Sequence, residues 1–216
     1  MRLMDFLTGT KVLEEVDSPI NGKITVVKSL GLGTYLQVGG LTQSGGILVN
    51  IWKSTIKKIT GYNLELTRCL ILGLGGGSVA RLVNKVWPDV IITGVDFDQL
   101  IVDLGKKYLG LDNVRIQLHV QDAFEYCEEG VAENKKFDLI LIDLYKGTEF
   151  PIQFEGEEFS KLVLQLLSEK GIAVFNRLYS GEKRPKAVKF GEKLDKIFKK
   201  VDVFYPEANV MYICSN

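Results

Sequence analysis

Cys69-Leu70-Ile71-Leu72-Gly73-Leu74-Gly75-Gly76-Gly77-Ser78 carries an apolar run into a cluster of glycines. A strand buried on both faces reads as an unbroken apolar run, and Val79, Leu82, Val83 and Val86 then fall on one face at helical spacing. The stretch therefore reads as strand, glycine turn, helix. Glycine has no Cβ, so a ligand can approach the backbone of such a turn. The helix start behind it offers unpaired N–H groups and the positive end of a dipole. An adenosine-bearing ligand fits that geometry. Gly73, Gly75 and Gly77 space as G-x-G-x-G, whereas the dinucleotide fingerprint G-x-G-x-x-G would need glycine at Ser78. The spacing favours S-adenosylmethionine over NAD. A tight turn without ligand is the alternative. Against it stands Val95-Asp96-Phe97-Asp98, which follows the apolar run Val90 to Val95. It lies about 20 residues on, where an acid can accept both ribose hydroxyls.

A chain of 216 residues can bury one sizeable α/β core with room for a small appendage. Lys plus Arg and Asp plus Glu number 27 each, so the formal charge is zero and no global field draws in nucleic acid or a membrane surface. Cys69, Cys127 and Cys214 form no close pair, which suggests buried free thiols in a reducing compartment and no metal site. Met1 to Phe6 lacks a long apolar segment, and no run approaches roughly 18 apolar residues, so the expected location is the cytoplasm.

Before the glycine turn, Lys11 to Val16, Lys23 to Ser29, Tyr35 to Val38 and Leu41 to Ser44 read as short strands separated by Gly, Pro and Asn turns. Such a unit is too small to stand alone, so it should pack on the main body or on a second copy of itself. Leu48, Ile51, Trp52, Thr55, Ile56 and Ile59 then follow a helical period that Gly61-Tyr62-Asn63 ends. After the turn, strands and helices alternate, which implies parallel neighbours. The ending differs. Val201 to Tyr205 and Val210 to Cys214 are joined by four residues only, too few for a parallel crossover, so this pair is antiparallel. The fold class expected is α/β: a Rossmann-like seven-stranded sheet of methyltransferase type, last strand antiparallel, over residues 47–216, with an N-terminal β-hairpin unit over residues 1–46. Lys186, Lys189, Lys193, Lys196 and Lys200 share a helical face opposite Val188, Ile197 and Val201 and read as a solvated surface, since no aromatics interleave them.

From about Ser18 to Cys214 the chain resembles spermidine synthases and their methyltransferase-like relatives. Gly39-Gly40-Leu41-Thr42-Gln43-Ser44 resembles the family's hairpin D-G-x-x-Q, Gly75-Gly76-Gly77 its triple glycine, and Val95-Asp96-Phe97-Asp98 its ribose-binding V-E-x-D. Gln121-Asp122-Ala123 resembles the D-A pair that holds the adenine amino group, and Ile142-Asp143 sits where the family's catalytic aspartate opens D-x-x-D-P. The resemblance implies that Gln43, Gly73, Gly75, Gly77, Asp96, Asp122 and Ala123 bind the nucleoside and that Asp143 is catalytic. Residue by residue, Asp122 reads equally as a helix cap. Asp143 reads equally as a positioning group and as a base.

Two positions depart from the family's pattern. The acid expected after the glycines is Ser78, and the second acid of D-x-x-D-P is Lys146. An amine substrate is cationic at neutral pH, with a pKa of about 10.4, and Lys146 in its pocket would repel it. The family's Tyr-His pair is also replaced, by Ile51 and Trp52. The expectation is therefore an S-adenosylmethionine-dependent transferase, a methyltransferase acting on a small molecule, with a possible homodimer or homotetramer built through the hairpins. Aminopropyl transfer from decarboxylated S-adenosylmethionine is the alternative, and a non-catalytic nucleoside-binding protein is a third.

Overall fold

The apolar runs Arg68–Leu72 (β5) and Phe137–Ile142 (β8) form adjacent parallel strands at the centre of a seven-stranded sheet. Their side chains alternate between two fully buried faces. Leu70, Leu72, Ile140 and Ile142 join one apolar cluster, and Cys69, Ile71, Leu139 and Leu141 the other. That double burial is why both segments read as unbroken apolar runs. The computed structural model describes residues 9–62, 64–147 and 149–216. The segment Met1 to Phe6, Asn63 at the expected helix end and Thr148 of the loop after β8 lie outside them.

The remaining strands of this sheet are Ile91–Asp96 (β6), Ile116–Val120 (β7), Leu167–Leu178 (β9), Lys200–Phe204 (β10) and Asn209–Ser215 (β11). Their order is β10-β11-β9-β8-β5-β6-β7, with β11 antiparallel to both neighbours and the other pairs parallel. The chain winds from β5 toward β7 and then returns past β5 to β8. The ends of β5, β6 and β8 thus border the crevice where open α/β sheets place ligands. All three cysteines are free and buried, in keeping with the sequence.

A separate four-stranded antiparallel meander precedes it: Thr10–Ser18 (β1), Gly22–Ser29 (β2), Gly33–Val38 (β3) and Leu41–Gly45 (β4). It packs on the main body. Ile24, Val26, Leu36 and Val38 bury against Ile101, Leu104 and Leu109 of helix α3 (Gln99–Leu109). Helix α1 (Gly46–Ile59) leads from the meander to the main sheet, and α2 (Ser78–Val86) follows the glycine turn. Helices α4 (Ala123–Ala132), α5 (Glu157–Leu166) and α6 (Lys183–Leu194) complete the layers. The lysine-rich helix ends at Leu194, so Lys196 and Lys200 do not extend its face. Its inward residues are Ala187, Phe190 and Leu194, while Val188 is exposed. Lys200 opens β10 instead.

Gly76 and Gly105 let the turn and α3 touch backbone to backbone. A Cβ on Gly105 would stand 2.5 Å from Gly76 Cα. Gly105→Ala should therefore lower stability by about 1–3 kcal/mol in urea denaturation through forced separation of the two backbones. A gain near the ~1 kcal/mol that alanine normally brings to a helix interior would contradict the contact.

Candidate functional site

Asp96 is the last residue of β6, and its carboxylate is fixed by backbone donors. Gly75 N–H donates to Oδ2 at 2.7 Å and Asp98 N–H donates to Oδ1 at 3.0 Å. Burial pushes its pKa up to about 6, while these two N–H groups act in the opposite sense by favouring the charged form. Asp98 is buried beside it. Its Oδ1 caps α3 by accepting from Leu100 N–H, and its Oδ2 accepts from Ser18 Oγ at 2.6 Å and Asn21 Nδ2 at 2.7 Å. The β1–β2 turn is thereby tied to the acid-bearing loop of the main sheet.

Asp122 does act as a cap. Its Oδ1 accepts from Phe124 N–H at 2.7 Å at the start of α4, and its Oδ2 accepts from Gln153 Nε2 at 3.0 Å. Asn21, Gln43, Gly73, Gly75, Asp96, Asp122, Ala123 and Asp143 all line one cleft. Gly77 does not. It adopts φ 81 as the N-cap of α2, and its Cα faces Leu111. Gly73, at φ 84, lies against the Asp143 carbonyl so closely that no Cβ could be fitted between them.

Asp143, just past the end of β8, is half-buried and held from both sides. Trp52 Nε1–H of α1 donates to Oδ2 at 2.8 Å and Asn176 Nδ2 of β9 donates to Oδ1 at 2.7 Å. Desolvation raises its pKa above the ordinary carboxylate range, with the Trp52 and Asn176 donors pulling it back. Asn176 Oδ1 in turn accepts from Asn209 Nδ2 of β11 at 2.7 Å. Trp52, Asn176 and Asn209 escaped the sequence reading as site residues. The departure at Trp52 from the family's Tyr-His pair was the available signal, because an indole N–H can donate where a phenol would.

A second chamber meets the first at Gln43, Asp143 and Tyr145. Leu41, Ile47, Leu48, Ile51 and Leu178 give it apolar walls, and Asn176, Asn209 and the exposed Glu207 also line it. No lysine or arginine is among the described residues lining it. Gln43 Nε2 donates to Gly147 O at 2.8 Å, and Gly147 N–H donates to Asn21 Oδ1 at 3.3 Å, so the meander also grips the loop after β8.

The charge argument against an amine fails on this placement. Lys146 lines the first cleft and not the second chamber. Ser78 is buried under the turn, its Oγ 3.0 Å from Ser44 Oγ, and lines neither. Arg81 is spent on the end of α3, where its guanidinium donates to Leu109 O at 2.6 Å. Among the described residues no cluster of three or more His, Cys, Asp or Glu could hold a metal ion, and no helix is long and apolar enough to cross a membrane.

The chain is 31% identical to a polyamine aminopropyltransferase of Vibrio vulnificus over 61% of its own length and 46% of that protein's. It is likewise 31% identical to a probable polyamine aminopropyl transferase of Bifidobacterium longum, over 66% of this chain and 35% of the other. The matches thus span less than half of either relative. The crystal structure of spermidine synthase from Thermotoga maritima superposes on 95% of this chain and 72% of its own with a TM-score of 0.72 at 21% identity, which establishes the shared fold. These relatives overturn the methyltransferase expectation, since they carry the name of the alternative, aminopropyl transfer. Residues 49–208 match the spermine/spermidine synthase domain, and the chain belongs to that family.

Proposed function

We propose that the protein transfers an aminopropyl group from decarboxylated S-adenosylmethionine to a small amine. The observation that carries this reading is the pair of chambers meeting at Asp143, the second of them lined by two carboxylates and no cationic side chain. In the first, Asp96 would accept from the ribose hydroxyls, with the Gly73 and Gly75 backbone beside it and Gly77 starting the helix behind. Asp122 keeps one oxygen for the cap and would release the other from Gln153 to the adenine amino group, next to Ala123. Gln43 stands between the chambers, at the aminopropyl end.

An acceptor amine enters the second chamber as an ammonium and must lose a proton before it can attack, since its pKa lies near 10.4. Asp143, poised between Trp52 and Asn176, attracts the ammonium and takes that proton. The nitrogen lone pair then forms the C–N bond to the propyl carbon, and the C–S electron pair leaves with sulfur. Positive sulfonium becomes neutral methylthioadenosine. The new ammonium carries the charge away. A sulfonium is a good leaving group, so alignment can supply much of the barrier reduction, roughly 7–11 kcal/mol in well-oriented systems. Residues 1–46 and 47–216 both contribute to this one site, and assembly into dimers or tetramers through the meander belongs to the same proposal.

Asp143→Asn should cut release of methylthioadenosine by about 10²–10⁴-fold, the usual worth of a positioned base. Undiminished turnover would remove Asp143 from the chemistry. Trp52→Phe deletes one donor to the charged carboxylate, so its pKa rises further and the acid limb of the pH–rate profile should move to higher pH. A limb that moves to lower pH would contradict the role given to Trp52.

Nucleoside binding carries its own pH signature. The Asp96 pKa of about 6 lies above its unfolded value, so its protonated form favours folding below about pH 4 and that contribution is lost as pH rises through 6. Ribose recognition needs the opposite state, the carboxylate. Calorimetry with methylthioadenosine should therefore show affinity falling about tenfold between pH 7.5 and pH 5, following the ionised fraction of a group with that pKa. Binding that strengthens toward pH 5 would contradict the assignment.

A further inference from the structure

Asn176 and Arg177 are successive residues of β9 and so point to opposite faces of the sheet. Asn176 holds Asp143, whereas Arg177 is buried beside Phe150 and Phe190, its guanidinium carbon 3.9 Å and 4.8 Å from the two ring centres. With rings against it, the guanidinium bonds through the N–H groups at its edge. Nη2 donates to Glu155 Oε1 at 2.6 Å. Nη1 is buried and is the only such side-chain nitrogen or oxygen without a partner among the described residues. A buried donor on a charged group is costly to leave unpaired.

Arg177 lines a cavity of about 20 Å³ together with Tyr145, Lys183 and Lys186. Donors are in surplus there. Tyr145 Oη accepts from Leu178 N–H at 2.8 Å, and its own proton has no acceptor among the described residues. The exposed Lys186 makes no ion pair among them. Of the two carboxylates on the cavity, Glu155 is held by Arg177 and Glu149 by Lys183. Three cations against two carboxylates leave one positive charge in excess. A volume just above the ~10–15 Å³ that one water needs admits a monatomic ion and excludes phosphate. A water would meet the same donors but leave that charge unbalanced. We propose that this cavity is a binding site for a single halide ion, with chloride as the natural ligand, held by Arg177 Nη1–H and the Tyr145 hydroxyl with Lys186 supplying charge. Tyr145 also lines both chambers, so the ion steadies a wall common to them. The site does not depend on the transfer reaction proposed above.

Two measurements test it together. In crystals of the protein grown without halide and soaked in bromide, anomalous scattering should place a bromide in hydrogen-bond contact with Arg177 Nη1. In solution at fixed ionic strength, replacing isethionate with chloride should raise the melting temperature and then saturate, as for a ligand that binds only the folded state. Arg177→Met should abolish the saturable rise. Lys186→Gln changes an exposed residue and keeps the fold; it should need about two- to fivefold more chloride for half the rise, the range for a solvent-exposed charge. A water at Nη1 with no bromide there overturns the proposal. Bromide in the crystal without a saturable rise in solution is binding at crystal concentration only, and a rise of the same size and midpoint in Lys186→Gln and in any folded Arg177→Met comes from elsewhere; either result also overturns it.

Discussion

Gly73 touches the backbone of Asp143, and this contact joins the glycine turn to the acid proposed for the chemistry. The turn ends β5 and Asp143 ends the neighbouring strand β8, so their spacing is set by the ladder between those strands, with Asp143 N–H donating to Leu72 O at 2.8 Å. Any side chain at position 73 would push the strand ends apart. The rigid parallel core thereby fixes the distance between the floor of the cleft and the carboxylate above it. Sites built on strand ends hold such geometry better than sites built on loops alone.

Around that fixed point the protein assembles side chains from widely separated parts of the sequence. Trp52 reaches Asp143 from a helix that follows the N-terminal meander, Asn176 from β9, and Asn209 supports Asn176 from the antiparallel strand β11. The meander contributes more than a lid. Ser18 and Asn21 bind Asp98, and Gln43 with Asn21 brackets Gly147, so the cleft wall and the central sheet are one hydrogen-bonded body. The antiparallel insertion of β11 brings Asn209 and the turn before it to the same sheet edge as Asp143.

Much of this was legible in the sequence. Apolar runs announce doubly buried strands, alternation and glycine announce the meander, and a four-residue connection forces the antiparallel ending. These are local signals. Asp96, Asp122 and Asp143 were legible because each stands at the end of an apolar strand segment or the start of a helix. Trp52, Asn176 and Asn209 were not, since they meet only through tertiary contacts with no period or spacing to mark them. Ser78 and Lys146 show the converse error. Their identity was read correctly, but the chamber each one faces depends on the twist of a turn and a loop, which a linear pattern does not encode. The over-extended lysine helix has a similar cause, because spacing continued past Leu194 after the backbone had left the helix.

The central claim is that donor and acceptor occupy two chambers on either side of Asp143. A crystal structure of the protein with methylthioadenosine and a diamine bound together tests it most directly. The account predicts the ribose on Asp96, the adenine beside Asp122, the thioether sulfur turned toward Asp143, and an amine nitrogen on the Asp143 carboxylate with its chain in the second chamber. A nucleoside seated elsewhere, or an amine bound away from Asp143, would contradict it.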